Sequence, residues 1–596
     1  MTLFARMFGR DDREVALRLK DGDAFSLCLE NYGITAREGE IVRLLIEGRT
    51  NEEIAALLFI SNHTVKNHIH NVYKKLGIGN RVQLIQRFRS ALEESGPPAP
   101  VPRAGRSRAA RLLVPALIVA VIAGLAAAFL LIAPGKRPPR AVAARRSIAV
   151  LPFVDLSANK DYEYLCDGIS ETLINALTHI DGLWVPARTS SFSFKGKARD
   201  LRDVGRKLGV EHVLEGSVQV AGDNLRITAR IESVRDGRQL WSEIFNRKMA
   251  DLFIIQDDIA RKIAEALKLT LYKEPVLRRY TLSLESYDRY MKGIYFYNKR
   301  GQENLEKALG FFGSAIELDP QYALAHAWIA ETYTVLGSWG YLPPREAFSN
   351  AREAALRALK MDGTLAEARS ALADVTYLYD WEWDKAEAEY ELALASNPNY
   401  AVAHSSYAQF LACQGRFDES LEQHWRARGL DPLSLMIRST MANTLIWMGQ
   451  YDQAESELGK VLEMDPGYEP AREYLHQARL RRSLLGGNLE GALEESRKAG
   501  DPLGMGIAFA RMGNRAEALT IAEQYAAASE SDPNDAYTAA ILLFALGEND
   551  RGFEFLDKAC DFRSRKVVSL KTSPYFETVR QDPRFLALLK RVGLAK

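Results

Sequence analysis

The sequence predicts a multidomain chain: an all-α amino-terminal domain, one transmembrane helix, a small α/β domain and an α-solenoid of repeated helix pairs. Three observations predict this class. An uncharged run occupies residues 112–133, strand-like and helix-like segments alternate after it, and prolines then recur 34 residues apart. With 596 residues, the chain has room for several domains of about 150 residues each.

Residues 31–95 are expected to form four short helices. Thr35, with Glu38 three residues later, predicts a capping box at the start of the first helix, whose apolar face is Ile41, Leu44 and Leu45. The third helix runs from about His63 to Leu76. Helical spacing places one group of its residues inward, Val65, Ile69, Val72 and Leu76, and another outward, Lys66, Asn67, His70 and Lys74.

The positive charge of this domain is local. The whole chain has 78 Lys+Arg against 77 Asp+Glu, so its net charge indicates no nucleic-acid or acidic partner. Residues 61–90, however, contain six Lys or Arg and no Asp or Glu, whereas the two preceding helices are rich in glutamate. This asymmetry favours a surface that binds phosphates over the alternative of a merely solvated face.

The run ITAREGEIVRLLIEGRTNEEIAALLFISNHTVKNHIHNVYKKLGIGNRVQLI resembles the LuxR-type helix-turn-helix. The resemblance implies that Lys66, Asn67 and His70 enter the major groove of double-stranded DNA. It implies backbone or supporting contacts from Thr64, Val65, Lys74 and Lys75, and phosphate contacts from Thr50, Asn51 and Ser61. Relatives usually bind DNA as dimers through the fourth helix, so residues 83–87 are a candidate homodimer face.

Two further expectations concern this motif: whether it holds a metal and what controls it. A metal site at His63, His68 and His70 is not expected, since His68 is better explained by packing inside the motif. Residues 1–30 are shorter than the phosphoryl-acceptor or ligand-binding domain that commonly precedes this motif. We therefore expect control to come from elsewhere in the chain.

Residues 112–133, LLVPALIVAVIAGLAAAFLLIA, predict a helix that spans the lipid bilayer and stays as an anchor. Arginines flank both ends, so charge alone does not orient it. A DNA reader must face the cytoplasm, which places the preceding residues inside and the following domains in the periplasm of a bacterial inner membrane. Small residues every four positions, from Ala116 to Ala128, are either a helix-packing stripe or ordinary alanine content. Residues 96–111 predict a Pro/Arg-rich linker.

Residues 147–275 predict a small α/β domain. SIAVLPFV reads as a buried strand, a helix follows, and three further strands are joined by turns at Gly222 to Asn224 and at Asp236-Gly237. The segments IAVLPF, GISETLINAL, LGVEHVLEGSV and RITARIESVRDGRQLWSE resemble the TolB amino-terminal-like domain, which implies a fold and no chemistry. The carboxylates that could imply a metal or acid/base site are expected to be exposed on helix faces: Asp167, Glu171, Asp257 and Asp258.

Residues 287–566 repeat with a period of 34. Pro398, Pro432 and Pro466 mark the period, and three kinds of position recur in phase: Ala408 with Ala442, Gly415 with Gly449, and Phe417 with Tyr451. This pattern is similar to the tetratricopeptide repeat, and we expect roughly eight helix pairs with an insertion at SWGYLPP. Residues 567–596 would cap the last repeat.

Such a solenoid presents a concave face on which an unknown protein or peptide could bind. Some aromatic residues are candidates for that face, although core packing explains each of them better: Trp339, Tyr341, Trp381, Trp383 and Trp447. We expect Cys166, Cys413 and Cys560 to be free thiols, with a Cys413–Cys560 bridge as the alternative.

No HExxH, P-loop or GxSxG motif occurs, so we expect neither an enzyme nor a cofactor. The sequence thus predicts a membrane-anchored transcription regulator. The alternative is an envelope scaffold that binds proteins without reading DNA. Occupancy of specific genomic sites would distinguish the two.

Overall fold

A computed structural model describes residues 146–178, 180, 182–197, 200–267, 269 and 279–595, together with nine residues between Glu38 and Lys75. The chain divides into two compact units, Met1–Arg145 and Arg146–Lys596. The predicted span at residues 112–133 and the linker before it lie outside the described residues. Among the residues that are described, no helix is long and apolar enough to cross a bilayer.

The α/β domain is built on a sheet that has six strands within the described part of residues 146–269. The strands are β1 (Arg146–Val150), β2 (Val154–Asp155), β3 (Leu183–Trp184), β4 (His212–Ala221), β5 (Asn224–Ser233) and β6 (Gln239–Lys248). The order is β3-β1-β4-β5-β6, with β2 pairing on β4. β1 and β2 run parallel to β4, whereas β4, β5 and β6 are antiparallel. The predicted hairpin turn is confirmed, because Ala221 pairs with Asn224 across a two-residue loop.

The prediction of one continuous strand over SIAVLPFV is wrong. Val150 pairs with Leu214 and Val154 with Ser217. The chain therefore advances four residues from β1 to β2 while the partner strand β4 advances three. The extra residue falls at Pro152, which has no N–H to donate to a neighbouring strand. The next amide, of Phe153, donates instead to the Ser170 hydroxyl at 2.9 Å.

Helices cover both faces of this sheet. They are α1 (Glu163–Thr178), α2 (Arg188–Phe192), α3 (Leu201–Leu208) and α4 (Leu252–Ala266). Ile169 and Leu173 of α1 and Ile259 of α4 share a core with one face, while Val204 and Leu208 of α3 pack with Val213 on the other. Residues on both faces are therefore buried, as expected for a sheet between helices.

Eight pairs of α-helices follow within residues 279–595, the number that the sequence predicts. Pairs 1 to 8 are Leu284–Lys299 with Gln302–Leu318, Ala323–Ser338 with Pro344–Met361, Ala366–Val375 with Trp383–Ser396, Ala401–Cys413 with Phe417–Leu430, Leu435–Trp447 with Tyr451–Met464, Glu469–Leu485 with Leu489–Ala499, Pro502–Met512 with Arg515–Ala528, and Pro533–Ala545 with Asn549–Asp561. A π-helical turn, Thr376–Asp380, extends the first helix of pair 3. The loop 339–343 is the predicted insertion in pair 2.

The recurring residues have the positions that their chemistry predicts. Ala408 and Ala442 are fully buried where first helices pack closely. Gly415 and Gly449 end the first helices of pairs 4 and 5 at φ of 78° and 75°, a conformation that glycine adopts without a Cβ penalty. Pro432 and Pro466 follow Asp431 and Asp465, the residues at which the second helices of pairs 4 and 5 leave the helical conformation.

The carboxyl-terminal segment comprises the 3₁₀ turns Arg565–Ser569 and Pro574–Val579 and the helix Pro583–Arg591. It packs on pair 8, as predicted, where Phe576 contacts the ring of Phe544 at 5.9 Å. It also reaches pair 3, which was not predicted. Trp383 Nε1 donates to the Val592 carbonyl at 2.7 Å, and the guanidinium of Arg563, just before the segment, lies 3.8 Å from the centroid of the Trp381 ring. The solenoid therefore closes on itself.

The α/β domain packs against both early and middle repeats. Near pair 1, the Tyr287 hydroxyl contacts Thr172 of α1 at 2.6 Å. At the junction of pairs 4 and 5, the Ala187 amide donates to the Leu430 carbonyl at 2.9 Å and the Leu433 amide donates to the Ser190 hydroxyl at 2.8 Å. Residues 146–595 thus form one continuous packed body.

The three cysteines of this body are free and buried, as expected. Burial raises the pKa of the Cys166 thiol above its usual range and that of the Cys413 and Cys560 thiols to about 12. All three are thus unreactive packing residues.

Candidate functional site

The amino-terminal unit is described at nine helical positions, which include the centre of the predicted motif. Three of the four residues predicted to form the inner face of the third helix are described, Val65, Ile69 and Val72, and all are buried. Ile41 of the first predicted helix and Ile54 of the second are also fully buried. Apolar residues from three predicted helices are therefore buried, and those of the third follow the periodicity that the sequence predicts.

An ion pair connects the two ends of this motif. Lys75 Nζ lies 2.6 Å from Glu38 Oε2, and the Glu38 side chain is only 5% exposed while that of Lys75 is 33% exposed. Since Glu38 belongs to the first predicted helix and Lys75 to the third, the pair holds the third helix against the first. This contact engages the Lys75 ammonium within the domain. A DNA contact by Lys75 stays a prediction.

The structure locates one further predicted site residue. The Val65 side chain is fully buried, so it can support the surface from inside and does not itself form part of that surface. The remaining predicted DNA-binding residues lie outside the described residues and stay predictions: Thr50, Asn51, Ser61, Thr64, Lys66, Asn67, His70 and Lys74. The candidate dimer face at residues 83–87 is outside them as well.

The four carboxylates expected to be exposed are engaged in ion pairs, and two of them are covered. Asp167 is buried and accepts two hydrogen bonds of 2.7 Å from Lys195. Glu171 lies 2.9 Å from Arg188. The expectation is wrong for this pair because α2 and the turn after it cover that face of α1. Asp257 and Asp258 pair with Arg279 and Arg261. Burial raises the pKa of both Asp167 and Glu171.

A cavity of about 730 Å³ lies between α1 of the α/β domain and the helices of pairs 1 to 4. Its lining combines aromatic rings with charged groups: Tyr287, Tyr290, Tyr297, Tyr322, Trp328, Tyr400, Glu171, Glu331, Glu367, Arg188 and Arg300. This site was not predicted from the sequence. A detectable pattern was present, since Tyr287, Tyr290 and Tyr297 recur at spacings of three and seven, which places them on one helix face.

The aromatic residues that were candidates for a concave face differ in how far they are buried. Trp381 and Trp383 are buried against the carboxyl-terminal segment, and Trp447 packs partly into two cores. The packing alternative is therefore confirmed for these three. Trp339 remains 44% exposed, with its ring 5.9 Å from that of Tyr341.

Comparison with known proteins identifies relatives of separate parts of the chain. The chain is 35% identical over 244 residues to the putative adenylate cyclase 3 of Rhizobium meliloti strain 1021, a match that covers 40% of this chain and 41% of that protein. It therefore spans less than half the length of this relative. A thermophilic TPR protein of Thermus thermophilus is similar in structure at a TM-score of 0.29 and 22% identity, covering 32% of this chain and 98% of that one.

The amino-terminal unit has the more specific match. Residues 33–88 match the family described as bacterial regulatory proteins, luxR family. The spore germination protein GerE of Bacillus subtilis strain 168 is 48% identical over 52 residues, which cover 9% of this chain and 70% of GerE. The described residues of the motif, from Glu38 to Lys75, all lie inside this match. Through residues 33–88, the chain belongs to the luxR family of bacterial regulatory proteins.

Proposed function

We propose that this chain is a membrane-anchored, one-component transcription regulator. A cytoplasmic domain binds double-stranded DNA as a homodimer, residues 112–133 cross the bacterial inner membrane once, and the body at 146–595 senses a signal or partner in the periplasm. The luxR-family match at residues 33–88 is the observation that carries the proposal. Its presence in one chain with an uncharged 22-residue run supports the anchoring.

The buried face of the third predicted helix supports the assignment of the DNA-reading residues. Val65, Ile69 and Val72 occupy the inner face. At about 100° per residue, positions 67, 70 and 74 are predicted on the opposite face and position 66 at its edge. Lys66, Asn67 and His70 are the side chains that we assign to base edges, with Lys74 on phosphate.

Regulation requires the sensing body to affect the DNA-binding domain. A ligand shifts an equilibrium only by its difference in affinity for the two states. We therefore propose that binding at residues 146–595 changes the association or position of the cytoplasmic domains. Resemblance to a TolB amino-terminal-like domain supplies a fold for the α/β part and assigns it no catalytic role, and we propose that the chain is not an enzyme.

The test is genome-wide occupancy of the wild type and of Lys66→Ala. We expect Lys66→Ala to lower occupancy at specific sites about five- to a hundredfold, because a base-reading lysine is worth about 1–3 kcal/mol. The matched control is Lys498→Ala, which removes the same charge from an exposed helical ion pair with Glu494. Full occupancy by Lys66→Ala at a normal protein level would contradict the proposal, and a wild type without specific sites would favour the scaffold.

A further inference from the structure

The cavity between the α/β domain and the repeats has the size of a small-molecule site. Its volume of about 730 Å³ falls within the range of roughly 300–1,000 Å³ that is typical of ligand pockets. The α/β domain closes one side through its contacts with pair 1 and with the junction of pairs 4 and 5. A volume of this size accommodates a compact small molecule.

Aromatic rings form much of the wall. The rings of Tyr290 and Tyr322 lie 5.1 Å apart, and those of Tyr297 and Trp328 lie 4.9 Å apart at 73°. The three tyrosines come from or precede the first helices of pairs 1 and 2. Aromatic faces carry partial negative charge, so several of them around one space attract a cation or cover an apolar body.

One carboxylate reaches this wall without a complete set of partners. Glu331, in the first helix of pair 2, is 8% exposed. Its Oε1 accepts a hydrogen bond of 2.9 Å from the Tyr297 hydroxyl. Within the described part of the chain, the hydrogen bond to this carboxylate engages Oε1 alone. Oε2 is not among the fully buried atoms that lack a partner, so it keeps accessible surface, and a ligand N–H group that reaches it gains a charge-assisted hydrogen bond.

The cationic side chains at the cavity are largely committed elsewhere. Arg188 is paired with Glu171 at 2.9 Å and Arg279 with Asp257. Arg300 lies 4.2 Å from the centroid of the Tyr297 ring. Burial raises the pKa of the Glu331 carboxyl, and the Tyr297 hydrogen bond and the Arg300 charge act against that rise. Glu171 is balanced by Arg188, and Glu331 is the carboxylate beside the aromatic wall, with Arg300 as the neighbouring cation. Glu367 and Asp431 also line the cavity, so its carboxyl groups outnumber its guanidinium groups.

From this arrangement we infer that the cavity binds a small organic cation, an ammonium group on an apolar body. Glu331 is its counter-ion, and Tyr290, Tyr297, Tyr322 and Trp328 surround the body. The inference rests on the proposed function, because such a cation would be the signal that the body at 146–595 senses. The proposed ligand thus gives that signal a chemical class, an organic ammonium ion.

The experiment is titration calorimetry of the purified full chain with three probes of one shape and different charge: 2-phenylethylamine, 2-phenylethanol and phenylacetate. We expect the amine to bind at least about tenfold more tightly than the other two, because only it pairs with a buried carboxylate. Glu331→Gln keeps the shape and removes the charge, so it should abolish the preference for the amine. Glu303→Gln, at a side chain that is 81% exposed, is the matched control and should bind as the wild type does.

A second variant distinguishes a loss of amine binding from a folding defect in Glu331→Gln. Tyr297→Phe removes the hydroxyl that holds Glu331 and leaves its charge, so it should weaken the amine a few-fold and preserve the preference for it. The inference is overturned by equal binding of the three probes, by no binding of any at millimolar concentration, or by unchanged amine affinity in Glu331→Gln. A preference for phenylacetate would assign the anchor to Arg300 and overturn it too.

Failure of this inference is distinguishable from failure of the proposed function. Binding is measured without DNA, so Lys66→Ala should bind 2-phenylethylamine with wild-type affinity even where its promoter occupancy is lost. Conversely, normal promoter occupancy by the wild type together with absent amine binding removes the ligand assignment alone.

Discussion

His424 is a buried side chain that makes the stability of the repeats depend on pH. It lies in the second helix of pair 4 with no exposed surface, and its Nε2 contacts the Thr444 hydroxyl of pair 5 at 3.0 Å. Burial lowers the pKa of His424 to about 3, since an imidazolium would lose its hydration there. The folded body therefore holds this histidine neutral.

A loss of stability in mild acid follows. The unfolded chain takes up a proton near the usual histidine pKa of about 6.5, whereas the folded chain does not until a much lower pH. The contribution is thus fully present above about pH 6.5 and falls as the pH drops below it, by about 2 kcal/mol at pH 5. We expect the urea midpoint of the wild type to fall between pH 7 and pH 5, and that of His424→Gln to fall less. Thr444→Val keeps the imidazole and should retain the wild-type slope; equal slopes for wild type and His424→Gln would refute the prediction.

Individual residues also show which burial could be predicted from the sequence and which could not. Burial of Val65, Ile69 and Val72 follows from helical spacing, which acts within a few residues. The burial of Asp167 depends on Lys195, and the position of Lys195 depends on the path of the chain after α2. No local pattern encodes that path, so the charge was expected at the surface.

At the scale of elements, the closing of the solenoid is the contact with the clearest energetic consequence. The Trp383 indole and the Val592 carbonyl are 209 residues apart in the chain, and their hydrogen bond is buried. At Gly593, where φ is 72°, an added Cβ would lie 2.8 Å from the Trp383 ring, so the backbone approaches the indole as closely as a glycine permits.

Trp383→Phe should therefore destabilise the body by about 1–3 kcal/mol, because it leaves the Val592 carbonyl buried without its donor. Faster amide hydrogen exchange in residues 583–594, together with a lower thermal midpoint, would report this loss. Trp339→Phe makes the same change at a half-exposed ring and should be nearly neutral. Unchanged exchange in Trp383→Phe would mean that the segment is held by its apolar contacts alone.

Repeat elements are predictable from sequence to the extent that their constraints are local. The glycines at 415 and 449 and the prolines at 432 and 466 fix where helices end, and the structure places the ends there. Closure could not be predicted in the same way. It depends on small rotations accumulated over eight pairs, and neither a motif nor a spacing encodes that sum.

At the scale of the whole molecule, the decisive prediction concerns topology. A cytoplasm-active reporter fused before Met1 should be active and the same reporter after Lys596 inactive, with a periplasm-active reporter giving the reverse. The physical reason is the bilayer-length run at residues 112–133. Ile122→Lys with Leu125→Lys places two charges in its centre at roughly 2.5–3.5 kcal/mol each and should abolish the difference. A reporter before Met1 that is active only in the periplasm would exclude DNA reading by this chain.

The succession of a small sheet domain and helical repeats within residues 146–595 was predictable, because the period of the sequence changes between them. The cavity was not, since its walls come from α1 and from four helix pairs that only the tertiary fold brings together. The residues of a DNA-reading surface stay a prediction from the sequence, and the structure describes the buried positions Val65, Ile69 and Val72 and the Glu38–Lys75 pair.

The long-range contact between Trp383 and Val592 also bears on how the body unfolds. An open array of repeats interacts only between neighbours, so it can fray from a free end one unit at a time. Here the last segment is bonded to the third pair, and the α/β domain bonds the first pair to the fourth and fifth. Neither terminus of the array is free to fray, and melting it requires breaking distant contacts at once, which gives a repeat protein the cooperativity of a globular one.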